Sequence, residues 1–267
     1  MKRHLLILGM LAVVLVNSLC GCVGPVVTDE FNGEYTVTSH TFLSVTNING
    51  GIDIIGWDGD TVTVSAVKKS IYGTETLNRV NISVSQTENH LEIVTKYPTQ
   101  KYVQAEVDYT IKVPYNVTIE TVMTTNGAIH VTNGSGDLLA STSNGAITLT
   151  DIDGVVSATT SNGHIEIRRT TGVSDIHTSN AAITSEVYSF QDDIQIETSN
   201  AAISLYLNPQ LNATVELMTS NSKIHLQGIA LNVSLLEDTH VIGTLGENGK
   251  RIDIHTSNAN IYIYNLE

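Results

Sequence analysis

Repetitive β proteins that cleave polysaccharides need carboxylates grouped for calcium and a Lys or Arg base on the same face. In the repetitive part of this chain, from residue 122 onward, the basic residues are Arg168, Arg169, Lys223, Lys250 and Arg251, and none recurs in register beside stacked acids. One outward position carries Asp53, His130, Thr148, Glu166, Thr184, Ser204, His225 and Tyr262 in successive copies, too varied a set for a catalytic row. Asp58-Gly59-Asp60 and Asp151-Ile152-Asp153-Gly154 read as turns, with calcium the minor alternative. His177 and His255 share a register but stand 78 residues apart, which predicts several coils between them; His130 and His225 are similarly distant. There is no Gly-x-Ser-x-Gly, phosphate loop or Cys/His pair. The expectation is a non-enzyme with no catalytic residue, cofactor or metal.

What does recur is a turn. Thr-Thr-Asn-Gly-Ala-Ile, Thr-Ser-Asn-Gly-Ala-Ile and their variants place asparagines at 126, 144, 162, 180, 200, 221 and 258, in steps of 18, 18, 18, 20, 21 and 37. The last step equals two periods, with a degenerate copy expected at Thr239 and Ile242. Three residues after each asparagine stands Ile129, Ile147, Ile165, Ile183, Ile203, Ile224 or Ile261. An earlier copy pairs Asn49 with Ile52. Apolar residues alternate on both sides of the turn, so each unit reads as two strands with one buried face. One unit cannot bury that face alone, whereas stacked units make continuous Ile, Val and Leu ladders. The fold expected is all-β: a β-solenoid, parallel-β-helix-like, of ~18-residue coils. Asparagine suits the turn because it tolerates left-handed backbone and its amides can bond along a stack. Eight copies from Asn126 to Asn258 would span roughly 35–40 Å. Longer periods predict bulging loops at Ser189–Asp193 and Asn208–Asn212, the places expected to hold something besides scaffold.

Residues 1–21 read as an export signal: Lys2 and Arg3 precede an apolar run from Leu5 to Val16, too short for a comfortable membrane span. Leu19-Cys20-Gly21-Cys22 resembles the lipobox of prokaryotic lipoproteins, with Cys22 receiving the lipid; an uncleaved anchor is the alternative. Either outcome places the body outside the cytoplasm, anchored to a membrane. Beyond Cys22 no cysteine remains, so the body has no disulfide or thiolate chemistry. Processing leaves 11 basic against 27 acidic residues, which argues against nucleic acid. Residues 22–40 read as a tether. Asn81, Asn116, Asn133, Asn212 and Asn232 begin Asn-x-Ser/Thr sequons and are candidate glycosylation positions.

Residues 41–267 read as one domain, with longer, irregular coils over 41–121 and regular ones over 122–267. In the first part, Thr61–Val67 and Val107–Val113 alternate as strands, a helical turn fits Thr74–Arg79, and Asn81–Ser85 with Leu91–Lys96 suits a hairpin. Asn49-Gly50-Gly51-Ile52-Asp53-Ile54, Gly56-Trp57-Asp58-Gly59-Asp60, Val113-Pro114-Tyr115-Asn116-Val117 and the serial turns together resemble a prokaryotic family of β-strand-repeat envelope domains. That family is of unknown function and carries the working name of adhesin. The resemblance covers about residues 41–267 and implies a β-solenoid in the cell envelope, with no catalytic residues to transfer.

The expected role is therefore a surface lipoprotein that binds cell-wall or surface polysaccharide, or an envelope protein, through many equivalent weak contacts. A structural or envelope-stress scaffold is the alternative, and a polysaccharide-active enzyme a remote one. The strand Ile261–Tyr264 has no visible cap, which predicts end-to-end self-association or a covering segment from elsewhere.

Overall fold

A computed structural model describes residues 25–98, 104–247 and 249–267. The expected export signal and Cys22 lie outside these residues. The chain is all-β, with one short helix among the described residues. Its N-terminal part runs β1 (Val27–Thr36), β2 (Phe42–Thr46), β3 (Ile52–Trp57), β4 (Thr61–Ser70), α1 (Thr74–Leu77), β5 (Asn81–Gln86), β6 (His90–Lys96), β7 (Glu106–Pro114) and β8 (Thr118–Met123). The repetitive part continues with β9 (Ile129–Thr132), β10 (Leu138–Ser141), β11 (Ile147–Thr159), β12 (Ile165–Thr178), β13 (Ile183–Val187), β14 (Ile194–Thr198) and β15 (Ile203–Leu207). It closes with β16 (Ala213–Thr219), β17 (Ile224–Gln227), β18 (Asn232–Leu236), β19 (His240–Leu245), β20 (Lys250–Thr256) and β21 (Ile261–Asn265).

These strands form two ladders, one on each side of the asparagine turn. The first runs β1-β4-β7-β3-β9-β11-β12-β13-β15-β21-β17 and is parallel from β7 onward. The second runs β5-β6-β2-β8-β10-β11-β12-β14-β20-β16-β19-β18 and is parallel from β6 to β16. Strands β11 and β12 pass from one ladder into the other, joining them into one mixed sheet. Ile52, Ile129, Ile147, Ile165, Ile183, Ile203 and Ile261 are buried in register along the first ladder, while Ile224, at its last strand, is half-buried. The second ladder faces them with Val122, Ala140, Ala158, Ile176, Ile196, Ile254 and Leu217.

The stacking order departs from chain order in two places. Asn49 pairs directly with Asn126, so the 77-residue interval holds no intervening coils of the expected irregular kind. Instead β7 extends the first ladder in parallel beside β3, β4 and β1 continue it antiparallel, and the β5-β6 hairpin extends the second. Residues 27–36, expected within a tether, form β1 along β4. At the other end, the last coil β20-β21 lies between β14-β15 and β16-β17. Ile261–Tyr264 is thus an inner strand flanked on both sides, and β17 is the covering segment from elsewhere that its uncapped end led one to expect. The degenerate copy at Thr239 and Ile242 is not a parallel coil either: β19 runs antiparallel to β16, and the β18-β19 hairpin ends that ladder.

Candidate functional site

The turn residues were the first candidates, and each is used by the stack. From Asn126 on, each turn asparagine donates its amide to the amide oxygen of its spatial neighbour: Asn126 to Asn49, Asn144 to Asn126, Asn162 to Asn144, Asn180 to Asn162 and Asn200 to Asn180, at 2.6–2.8 Å. Asn258 then donates to Asn200 at 2.8 Å and Asn221 to Asn258 at 2.9 Å. The left-handed backbone expected at these asparagines is absent. Among the described non-glycine residues it falls seven positions later, at Asn133, Asp151 and Arg169. Amide stacking therefore explains the asparagine, and the corner strain sits elsewhere.

A second row was not anticipated in this form. The threonine two before each asparagine is buried, and its hydroxyl donates to the turn carbonyl of the adjoining coil. Thr160 bonds Gly145, Thr178 bonds Gly163, Thr198 bonds Ala181, Thr256 bonds Ala201 and Thr219 bonds Ala259, all at 2.9–3.1 Å. The recurring Thr-x-Asn spacing was visible in the sequence, but not that its hydroxyl points inward. Glycines 127, 145 and 163, just after the asparagine, pack against the preceding turn so closely that a Cβ would strike its carbonyl.

The expected loops also serve the scaffold. Lys250 pairs with Asp192, the Asp193 carboxylate accepts from the Arg251 amide, and Asn208 binds Tyr188. The histidines correct another expectation. Because β20 inserts beside β14, His177 and His255 both face Glu197, at 3.7 and 3.5 Å, rather than lying several coils apart. Asp151 is taken by Arg169, which binds it through two nitrogens and holds its carboxyl below the usual range. Among the described residues no three His, Cys, Asp or Glu side chains lie together to hold a metal ion. The five sequon asparagines, Asn81, Asn116, Asn133, Asn212 and Asn232, are all exposed.

What the scaffold leaves free is the outer face of the first ladder near the inserted coil. Tyr206 stacks on Tyr264 with ring centroids 4.8 Å apart, and His225 stacks on Tyr262 at 5.0 Å. Beside them Glu186, Gln227 and Asn265 join Tyr206 and Tyr264 around an open cleft of ≈ 670 Å³. Glu186, Tyr206, Tyr264 and Gln227 stand in register on four successive strands, so their carboxylate, phenols and amide line up across the strands as a surface equipped for hydrogen bonding to a polar ligand. The aromatic cluster was hidden in the sequence because Tyr206 and Tyr264 become neighbours only through the insertion.

No protein-family model matches the chain, and no curated protein matches it. Among solved structures it is similar to a provisionally named cell adhesion protein from Clostridium sporogenes, at 8% identity over 89% of this chain and 100% of that one, with a TM-score of 0.38. A provisionally named adhesin from Bacteroides fragilis gives 14% identity over 88% and 97%, with a TM-score of 0.36. A provisionally named lipid binding protein from Parabacteroides distasonis gives 13% over 88% and 96%, with 0.39. At these values the likeness assigns neither a function nor a ligand to this chain.

Proposed function

We propose that this chain is a non-enzymatic binding module, a β-solenoid held on the outer side of a membrane by lipid on Cys22. The solenoid reading rests on the two in-register parallel ladders joined by a repeated turn. The binding reading rests on one observation above others: Tyr206, Tyr262, Tyr264 and His225 stand outward beside Glu186 and Gln227, while the repeated Asn, Thr and Ile side chains are consumed internally. Such a row suits an extended cell-wall or surface polysaccharide that contacts several coils at once. The test is retention of the chain, with Cys22→Ser and the export signal removed, on an array of cell-wall and surface glycans. Retention on at least one polymer, reduced roughly tenfold by Tyr264→Ala as expected for losing about 1.4 kcal/mol of contact, is the outcome predicted. No retention on any polymer would sink this reading and favour a structural scaffold without an external ligand; turnover of a polymer would overturn the non-enzymatic assignment.

A further inference from the structure

The slot that β20 and β21 occupy is walled by residues 194–207 on one side and 213–227 on the other. Both walls precede the insert in the chain, so both are made before residues 250–265. Until then each wall presents unpaired strand edges. The insert satisfies both: Ile254 registers with Ile196 and Leu217, and Ile263 with Leu205 and Leu226. Asn258 bridges Asn200 and Asn221 in the amide row.

The insert also carries its own address. Among the coils, only this one opens its second-ladder strand with Lys250-Arg251; the matching positions elsewhere hold Gly136-Asp137, Gly154-Val155, Gly172-Val173, Asp192-Asp193 and Ala213-Thr214. Those two cations meet acids on both walls. Lys250 pairs with Asp192 at 2.8 Å, the Arg251 amide donates to Asp193 at 2.7 Å, and the Arg251 guanidinium pairs with Glu216. His255 faces Glu197. Every one of these contacts joins the insert to a wall and none depends on the covalent link between β19 and β20. None of them requires the insert and the wall to belong to the same molecule.

We infer that Lys250–Asn265 is an exchangeable insert, and that the slot between β14-β15 and β16-β17 accepts this segment from a second copy of the chain. Reciprocal exchange gives a closed dimer with each amide row completed by the partner's Asn258. The experiment uses two full-length chains, both with Cys20→Ser and Cys22→Ser, one carrying Asn258→Cys and the other Asn221→Cys. They are unfolded together, refolded at increasing concentration and oxidised. A disulfide-linked heterodimer whose yield rises with concentration is expected, with none when Asn144→Cys replaces Asn221→Cys. As a second readout, the chain with asparagines intact should show a dimer after concentrated refolding. Monomer at every concentration, or equal linkage to the Asn144→Cys chain, would overturn the inference.

Discussion

At the scale of single residues, the motif divides its labour among three side chains of unequal worth. Ile165 is buried in the core ladder, Thr178 is buried with its hydroxyl on the Gly163 carbonyl, and Asn162 is exposed with its amide shared between two neighbours. Urea unfolding should therefore rank three variants. Ile165→Ala should cost about 2–5 kcal/mol through the cavity it leaves. Thr178→Val should cost about 1–3 kcal/mol, because the part-buried Gly163 carbonyl loses its donor. Asn162→Ala should cost about 0.5–1.5 kcal/mol, since water can replace its partners. An Asn162→Ala loss exceeding that of Ile165→Ala would contradict this division. A titration follows from Tyr109, whose ring is buried in the N-terminal part with its hydroxyl 2.6 Å from Thr95. Burial pushes its pKa up to about 12, above the ordinary 10.0. Its folded-state pKa is raised, so its contribution is complete below pH ~10 and is lost as pH rises toward 12. Burial likewise pushes Tyr97 up to about 12. Stability measured against pH should fall across that alkaline window, and Tyr109→Phe should flatten part of the fall.

At the scale of strands, the inward alternation was legible and the stacking order was not. The spacing from Asn162 to Ile165 and the alternation around it specify which side chains turn inward, and the buried ladder follows that pattern. Nothing in the period distinguishes Asn221 stacking on Asn200 from Asn258 doing so, because each coil presents the same Thr, Asn and Ile to its neighbour. The charges that separate the alternatives, Lys250 and Arg251 against Asp192, Asp193 and Glu216, lie outside the motif. The same blindness affected the N-terminal part: its hairpin and strands were readable, but the direct pairing of Asn49 with Asn126 across 77 residues was not. The inserted order predicts hydrogen exchange. Amides of Ile254 and Ile263, in strands paired on both sides, should be protected as strongly as Ile165, while that of Leu226 in β17, a strand paired only with β21, should exchange faster. Rapid exchange throughout 250–265 would contradict an internal position.

For the whole molecule, antiparallel elements close three of the four ladder ends: β1 and β4 on the first ladder and the β5-β6 hairpin on the second at one end, and the β18-β19 hairpin on the second at the other, where the first ends on β17. They blunt the edges that a repeat of identical coils would offer to other chains. Function was less legible than fold, because the motif that dominates the sequence is spent on stacking and the outward aromatic cluster depends on the coil order. That order is the central claim, and paired cysteines in single chains lacking Cys20 and Cys22 test it most directly. Neighbouring strands are about 4.8 Å apart, within disulfide reach, and next-nearest ones about twice that, beyond it. Under dilute oxidation, Asn200→Cys with Asn258→Cys and Asn258→Cys with Asn221→Cys should each close a disulfide within the chain. Asn200→Cys with Asn221→Cys should not; ready closure of that pair, with failure of the other two, would show coils stacked in chain order and contradict the account.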